Sequence, residues 1–510
     1  MLSDDLRTHA GFLRALGILL LVFAAFYAVK LATPSLAIDD ELAVFRDKPD
    51  YWVGQGRWVT YLIERFALPQ PVLPFLPTAL FGLLLSIAYL ILLRGAGMAT
   101  DRVEAYFAFP LFCAFPTWFF LVEFQANTPP AAVGVLAAAA SAYWFARVLD
   151  ARPRGGRFSR RTLARAGAAI AFAAVAMGVY QANTLLLLVL GLAMIAFKAL
   201  SDRERSAATV FADIVLLAVT VGLALLVFAS VLALFRAAMD VAPEYIDSFV
   251  RPDLLLADPK EVLRRTHVTL WRVYTGAHQV YGAYAFAYGP IVLLGLAALA
   301  FTPQLRGRPG VRALLVAMLA VMLLVPFAIH PISNGWLPFR ALVGVPAVMW
   351  FSALVALTVP LRWLPRVALV VVGLALLQTL YVGNLMRGAN ALVRQHDALV
   401  GAALYARIAE VAPDFDRHRR YRMAFHGAWP FTSPYRYIDT ATAGASFFEW
   451  DKGNSGRIVA YMNLLGFDNL VVAPPEEREA LAEAFSRMPI WPARGSVVVK
   501  DDLILVRLGP

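Results

Sequence analysis

The sequence predicts an all-α polytopic membrane protein with about eleven transmembrane helices and a small C-terminal α/β domain. Three observations carry that prediction. Of 510 residues, 60% are hydrophobic and only 16% charged, and the mean hydropathy is +0.65, more apolar surface than a soluble core can hide. About eleven apolar runs approach the roughly 20 residues needed to cross a ~30 Å hydrocarbon layer. After Leu385 the pattern changes to short apolar strands alternating with helical stretches.

The runs centre near Leu20, Leu84, Leu111, Ala138, Ala173, Leu192, Leu225, Leu294, Leu319, Val348 and Val371. The first follows Arg7 and Arg14 and precedes Ser35, Leu36 and Ala37, the outline of a cleavable signal. Its apolar core from Leu16 to Leu31 is longer than the about 7–15 residues usual for such signals, which favours a retained span. The net charge of +11 would suit a nucleic-acid partner if it were gathered on one soluble surface. Instead the arginines collect in alternate short connections, at 152–161, 202–205, 306–312 and 361–366, which the positive-inside rule assigns to the cytoplasm. The same parity exports residues 33–70, the turn starting at Glu123, residues 180–183, 237–282 and 330–340, and everything after about Leu385.

The expected organisation is therefore a transmembrane module over 1–385, with periplasmic loops 33–70, 237–282 and 330–340, then a periplasmic α/β domain over 386–510. In the tail, an amphipathic Arg-rich helix is expected over 389–412 and strands over 421–425, 469–473, 496–499 and 503–507. Helices over 457–465 and 476–485 alternate with them, and Asp501 and Asp502 suit the last turn. The single cysteine, Cys113, lies in an apolar run and supports no disulfide framework.

Chemistry is expected where the exported loops are unusual. Asp39, Asp40 and Glu41 stand side by side just beyond the first span. The outer face has little access to nucleotide cofactors, so an activated compound must already be in the lipid, and a lipid-linked phosphosugar is one. A carboxylate fixed at that interface can take the proton of an acceptor hydroxyl as the anomeric carbon is attacked. Adjacent helical positions point about 100° apart, so only one of Asp39 and Asp40 can face a substrate squarely. The other would hold a sugar hydroxyl, a helix cap or an ion. A plainer reading puts the three acids in the first turn of an interfacial helix, where the dipole favours them.

A second exported stretch, W-V-G-Q-G-R-W at 52–58, sets Trp52 and Trp58 around Arg57. Aromatic rings suit the headgroup level but also stack on sugars, and an arginine can fork onto phosphate. No phosphate-binding glycine loop, H-E-x-x-H motif or paired cysteine motif is present, which removes the ATPase, zincin and thiolate-metal classes.

Taken together, I-D-D-E at 38–41, the G-x-G-R core at 54–57, N-G-W-L-P-F-R at 334–340 and G-A-S-F-F-E-W-D at 444–451, followed by residues 457–467, resemble a known family. It comprises the multi-span glucosyltransferases that decorate O-antigen in serotype conversion, within the GT-C class of lipid-dependent glycosyltransferases. This chain departs from the family pattern at Trp58, where proline often follows the G-R pair. The resemblance implies an undecaprenyl phosphate donor carrying glucose, a glycan acceptor, the periplasmic face of the bacterial inner membrane, and inversion by an aspartate base at Asp39 or Asp40. The leaving phosphate would be met by Arg340, with Arg57 and Lys30 as further candidates. Arg340 is first because an arginine at an outer span end opposes the usual charge bias, although snorkelling to headgroups also accounts for it. Glu41, Trp52, Trp58, Glu123, Gln125 and His330 are candidate contacts to sugar or acceptor, and a divalent cation (Mg or Mn) between Asp39, Asp40 and phosphate is chemically reasonable.

Two other classes fit a many-span chain. A lipid or sugar transporter or flippase should carry ionisable or helix-breaking residues near the midplane of corresponding halves, whereas the acids here gather at outer span ends. A non-catalytic scaffold would use the 237–282 loop, rich in aromatics between Trp271 and Tyr284, and the tail to bind a partner.

Overall fold

A computed structural model describes residues 2–33, 36–46, 48–72, 75–151, 159–242, 250–434, 437 and 442–510. Most of the arginine-rich loop at 152–161, and Ser35 of the signal-like outline, lie outside them. The chain divides into two compact units, one of residues 1–32, 48–122 and 127–383, the other of 33–47, 123–126 and 384–510.

The first unit is helical. Among the described residues nine helices are long and apolar enough to cross a membrane, from Ala10–Ala32 to Leu364–Val411, and Tyr288–Phe301 and Val345–Thr358 are shorter apolar helices. Every one of the eleven expected centres falls in one of these. Their environments differ: the segment Val103–Val122 is 89% buried, while Ala207–Met239 is only 22% buried and apolar on all sides, as a lipid-facing helix must be.

Hydrocarbon supplies no hydrogen-bond partner, so each polar atom in this unit needs an internal one. Pro110 and Pro116 interrupt the segment Val103–Val122, whose helix stops at Cys113 and resumes at Phe119. The carbonyls at that break are taken by aromatic side chains: Tyr27 Oη donates to Cys113 O at 3.0 Å and Trp118 Nε1 to Phe112 O at 2.7 Å. Small residues set the close approaches. A Cβ on Gly295 would lie 2.9 Å from Ser352 Cα, which is why the helices Tyr288–Phe301 and Val345–Thr358 can lie against each other.

Polar staples tie together span ends of equal parity. At one end Lys198 pairs with Asp150 at 2.7 Å, Arg308 Nη1 donates to Ala199 O at 3.1 Å, and Arg205 pairs with the fully buried Asp213 while Nη2 donates to Leu149 O at 3.1 Å. Arg205 and Arg308 therefore do more than balance headgroup charge. At the other parity Thr60 Oγ1 donates to Val179 O at 3.1 Å, Gln181 Nε2 to Gln55 O at 2.7 Å, and Arg236 Nη2 to Gly54 O at 3.2 Å.

The second unit contains a four-stranded sheet, with β1 Tyr421–His426, β2 Leu470–Val472, β3 Val497–Lys500 and β4 Leu503–Arg507 in the order β2-β1-β4-β3. β1 runs parallel to β2 and β4, and β3 is antiparallel to β4 across the turn at Asp501 and Asp502. Alternation sorts the strands: Tyr421, Met423, Phe425, Ile504 and Val506 join the larger core, while Ala424 and Leu505 face a smaller cluster with Phe485. The helix Ser455–Leu464 supplies Ile458, Val459 and Met462 to the larger core. The amphipathic helix expected over 389–412 proves to be the second half of one 48-residue helix, Leu364–Val411, with no break at the expected boundary near Leu385. No proline lies in 366–411, and Gly383, Asn384 and Gly388 near the expected boundary are helical all the same, so the last span continues without a break.

Asp397, on that helix, is fully buried. Its carboxylate accepts from Ser446 Oγ at 2.5 Å and Phe447 N at 3.0 Å and pairs with Arg394 at 3.3 Å, whose guanidinium also donates to Ala445 O. One aspartate thus pins the G-A-S-F-F stretch to the helix. Asp397→Ala strands a buried cation and two donors, so the second unit should lose about 3–5 kcal/mol. Ser446→Ala, which removes one donor, should cost about 1 kcal/mol. Thermal unfolding in detergent, read by proteolysis within 384–510, checks the order of the two.

Candidate active site

The three acids beyond the first span lie in a turn that the second unit builds. Ile38 is fully buried in the core that also holds Leu404, Ile458 and Met462, which anchors the turn from within. Asp40 N donates to Ala37 O at 3.1 Å, and Asp40 Oδ2 accepts from Ala37 N at 3.0 Å, a reciprocal pair that closes residues 37–40. Asp40 Oδ1 accepts from Ala126 N at 3.3 Å, so both oxygens of this buried carboxylate hold backbone amides. A one-turn helix, Asp40–Ala43, follows, with Ala43 N donating to Asp39 O at 3.0 Å.

Asp39 is different. Its backbone is left-handed, at φ 83° and ψ −21°, a conformation that aspartate tolerates better than most residues but still at a cost. Its side chain caps nothing and is 49% exposed. The carboxylate accepts from Arg457 Nη2 at 2.7 Å. The same guanidinium donates through Nη1 to Glu41 Oε1 at 2.5 Å and through Nε to Asp451 Oδ2 at 2.6 Å, so three nitrogens serve three carboxylates. Such a fork needs arginine; an ammonium cannot present the same planar set. Arg457 sits in the first turn of the helix Ser455–Leu464, where Asn454 Oδ1 caps Gly456 N at 2.9 Å and Arg457 N at 3.3 Å.

Glu41 is fully buried, and among the described residues its Oε2 has no hydrogen-bond partner. Burial would lower the Arg457 guanidinium, but Asp39, Glu41 and Asp451 hold it above its ordinary value. Glu123 and Gln125 are buried in the same unit, and Glu123 Oε2 accepts from Thr442 Oγ1 at 3.2 Å. With Asp40 occupied by two amides and Asp39 held by Arg457, the pair is poorly disposed to share a divalent cation. Among the described residues no group of three or more His, Cys, Asp or Glu side chains is arranged to hold a metal ion.

The other candidates belong to the transmembrane unit. Arg57 lies between two rings, 5.4 Å from the centroid of Trp52 and 4.8 Å from that of Tyr180. Trp52 Nε1 donates to the buried Glu64 at 2.8 Å, within a single π-helical turn, Ile63–Ala67. Trp58 stacks on Phe235 at 5.8 Å and fills the space left by Gly178, where a Cβ would meet it at 2.5 Å. These contacts give Trp52 and Trp58 packing roles in addition to any contact with sugar. Lys30 is buried in the last turn of the first span, and Arg340 is half-buried in a 3₁₀ turn, Phe339–Ala341. His330 is fully buried against Phe327, and among the described residues neither of its ring nitrogens has a hydrogen-bond partner.

The structure thus gathers Asp39, Asp40, Glu41, Glu123 and Gln125 in one unit and Trp52, Arg57, Trp58, Lys30, Arg340 and His330 in the other. Arg457 and Asp451 had no role from sequence, although both fall in the downstream island that carries the resemblance. Six positions separate them, and nothing local says that the arginine turns toward residue 39.

Glu41 makes the turn sensitive to pH. Burial pushes its carboxyl above the ordinary 4.5, against the opposing pull of Arg457. A carboxyl raised in the folded state binds its proton more tightly there than in the unfolded chain. Its contribution to stability is therefore complete below pH 4.5 and declines as pH rises through the raised value. In Glu41→Gln that part of the decline should vanish; melting curves of parent and variant across this window check it, and parallel curves would refute the assignment.

Residues 28–357 match the model of a family described as Glucosyl transferase GtrII. No curated protein matches the chain. Among solved structures, ArnT from Cupriavidus metallidurans bound to undecaprenyl phosphate aligns over 96% of each chain, with 13% identity and a TM-score of 0.39. With more than half of its length inside the family model, and with nine helices among the described residues long and apolar enough to cross a membrane, this chain belongs to the GtrII glucosyl transferase family and is a multi-pass membrane glycosyltransferase.

Proposed function

We propose that the protein moves a sugar, glucose by its family, from polyprenyl phosphate to a surface glycan such as O-antigen, at the periplasmic face of the bacterial inner membrane and with inversion at the anomeric carbon. One observation supports this above the others: the two adjacent aspartates are used unequally. Asp40 is spent on backbone amides and shapes the turn, whereas Asp39 is half-exposed and offers its carboxylate to an incoming group. In this reading the acceptor hydroxyl oxygen attacks the anomeric carbon while Asp39 takes its proton. The bond from that carbon to the phosphate oxygen breaks, and its electron pair leaves on polyprenyl phosphate. Cationic support for that phosphate falls to Arg340, Arg57 and Lys30, the expected candidates. Water is a competing nucleophile, so the acceptor must be placed before the donor is activated. The chemistry as proposed runs without a metal at Asp39 and Asp40.

Asp39→Asn keeps the side-chain shape and removes the proton acceptor, so transfer from polyprenyl phosphate glucose to lipopolysaccharide should fall by about 10²–10⁴ in kcat. Asp40→Asn should chiefly weaken the turn, at about 1–3 kcal/mol, with a smaller effect on kcat. Full activity in both variants would remove the general-base reading. Retained configuration at the transferred sugar, read by NMR of the product, would remove the single displacement. A flippase would move the donor intact, whereas transfer releases free polyprenyl phosphate.

A further inference from the structure

We propose that Arg457 is the positioning residue for the Asp39 carboxylate, so that the part of the chain beyond the family match completes the acidic site. The proposal rests on the general-base reading above and adds to it a partner outside residues 28–357.

Three features carry it. First, the turn and the arginine are tied to one rigid body. Ile38, immediately before Asp39, and Ile458, immediately after Arg457, are both fully buried in the same hydrophobic core. Apolar cores resist displacement, so the two neighbouring polar side chains are held at a set separation. Secondly, Asp39 receives no help from its own loop. Its backbone is left-handed and its side chain makes no cap, so without Arg457 the carboxylate would sample several rotamers. Thirdly, the guanidinium is itself held from behind. The fully buried Glu41 grips Nη1 and Asp451 grips Nε, which leaves Nη2 aimed at Asp39. A surface ion pair formed for stability alone has no need of two further carboxylates to orient its cation.

This arrangement explains why an acidic pair beside the first span and a distant R-I-V-A-Y-M helix occur in one chain. The turn that carries the base folds with residues 384–510, in the same compact unit. A base misplaced by about 1 Å can cost on the order of 10²-fold in rate.

The test uses the full-length protein in detergent or nanodiscs with polyprenyl phosphate glucose as donor. Arg457→Ala should lower kcat about 100-fold while KM for the donor stays within about threefold, since the variant disturbs placement of the base rather than donor binding. Millimolar guanidinium, which can re-enter the space between the three carboxylates, should restore kcat by at least about tenfold. A wild-type kcat in Arg457→Ala, or a loss that falls wholly on KM, would overturn the proposal. If Arg457→Ala does not keep its fold, Arg457→Lys decides. Its ammonium has three donors on one nitrogen and cannot reproduce the planar spread of Nε, Nη1 and Nη2 that reaches the three carboxylates, so kcat should drop about tenfold at unchanged KM, and a kcat equal to the parent would overturn the proposal. Failure of the underlying reading looks different. If Asp39→Asn is fully active, the base assignment falls whatever Arg457 does; if Asp39→Asn is inactive and Arg457→Ala is not, only the positioning role falls.

Discussion

Hydrocarbon offers a peptide N–H nothing to bond, and that single constraint orders the transmembrane unit. It forces the backbone into helices, and it also decides what happens where a helix must break. Around Pro110 and Pro116 the freed carbonyls of Phe112 and Cys113 are taken by Trp118 and Tyr27, both themselves buried. Trp350 Nε1 donates to Tyr89 Oη at 3.2 Å, and Tyr89 Oη donates to Ala105 O at 2.6 Å, a chain that satisfies two buried aromatics at once. Near the span ends Arg205 and Asp213, and Lys198 and Asp150, neutralise each other. Reactive polar chemistry is left to the loops.

The acidic turn shows how a loop acquires rigidity without regular structure. Its three acids are neighbours in sequence but have three separate physical tasks. Asp40 replaces water for the amides of Ala37 and Ala126, and so makes a buried turn affordable. Glu41, fully buried, grips a cation from the far end of the chain. Asp39 alone keeps a half-exposed carboxylate. A strained backbone at that residue persists because Ile38 on one side and Asp40 on the other are both held.

The tail follows the same logic of shared cores. Alternation along β1 and β4 sends side chains to two different apolar clusters, and the long helix and the helix Ser455–Leu464 cover the larger one. Asp397 binds the loop at 445–447 to the long helix by charge-assisted bonds that water cannot reach. The arginine of the acidic site is therefore carried on an element whose own position is determined by packing.

Much of this was legible in residues alone. Run length and composition located all nine helices that, among the described residues, are long and apolar enough to cross a membrane, because the thickness of a bilayer sets a minimum number of apolar residues; the two other expected spans are the shorter helices Tyr288–Phe301 and Val345–Thr358, which fall below that minimum. Strand alternation located β1 to β4, and the order of short islands pointed to the family. The continuous helix through Leu385 escaped notice because Gly383, Asn384 and Gly388, residues that often end a helix, lie inside it without breaking it. What the sequence by itself determined is the inventory: apolar spans, strands and a cluster of three acids just beyond the first span. Only the tertiary structure decided which aspartate is spent on backbone amides, which stands open, and that Arg457 meets it, because side-chain partnership across four hundred residues depends on packing geometry that no local pattern encodes.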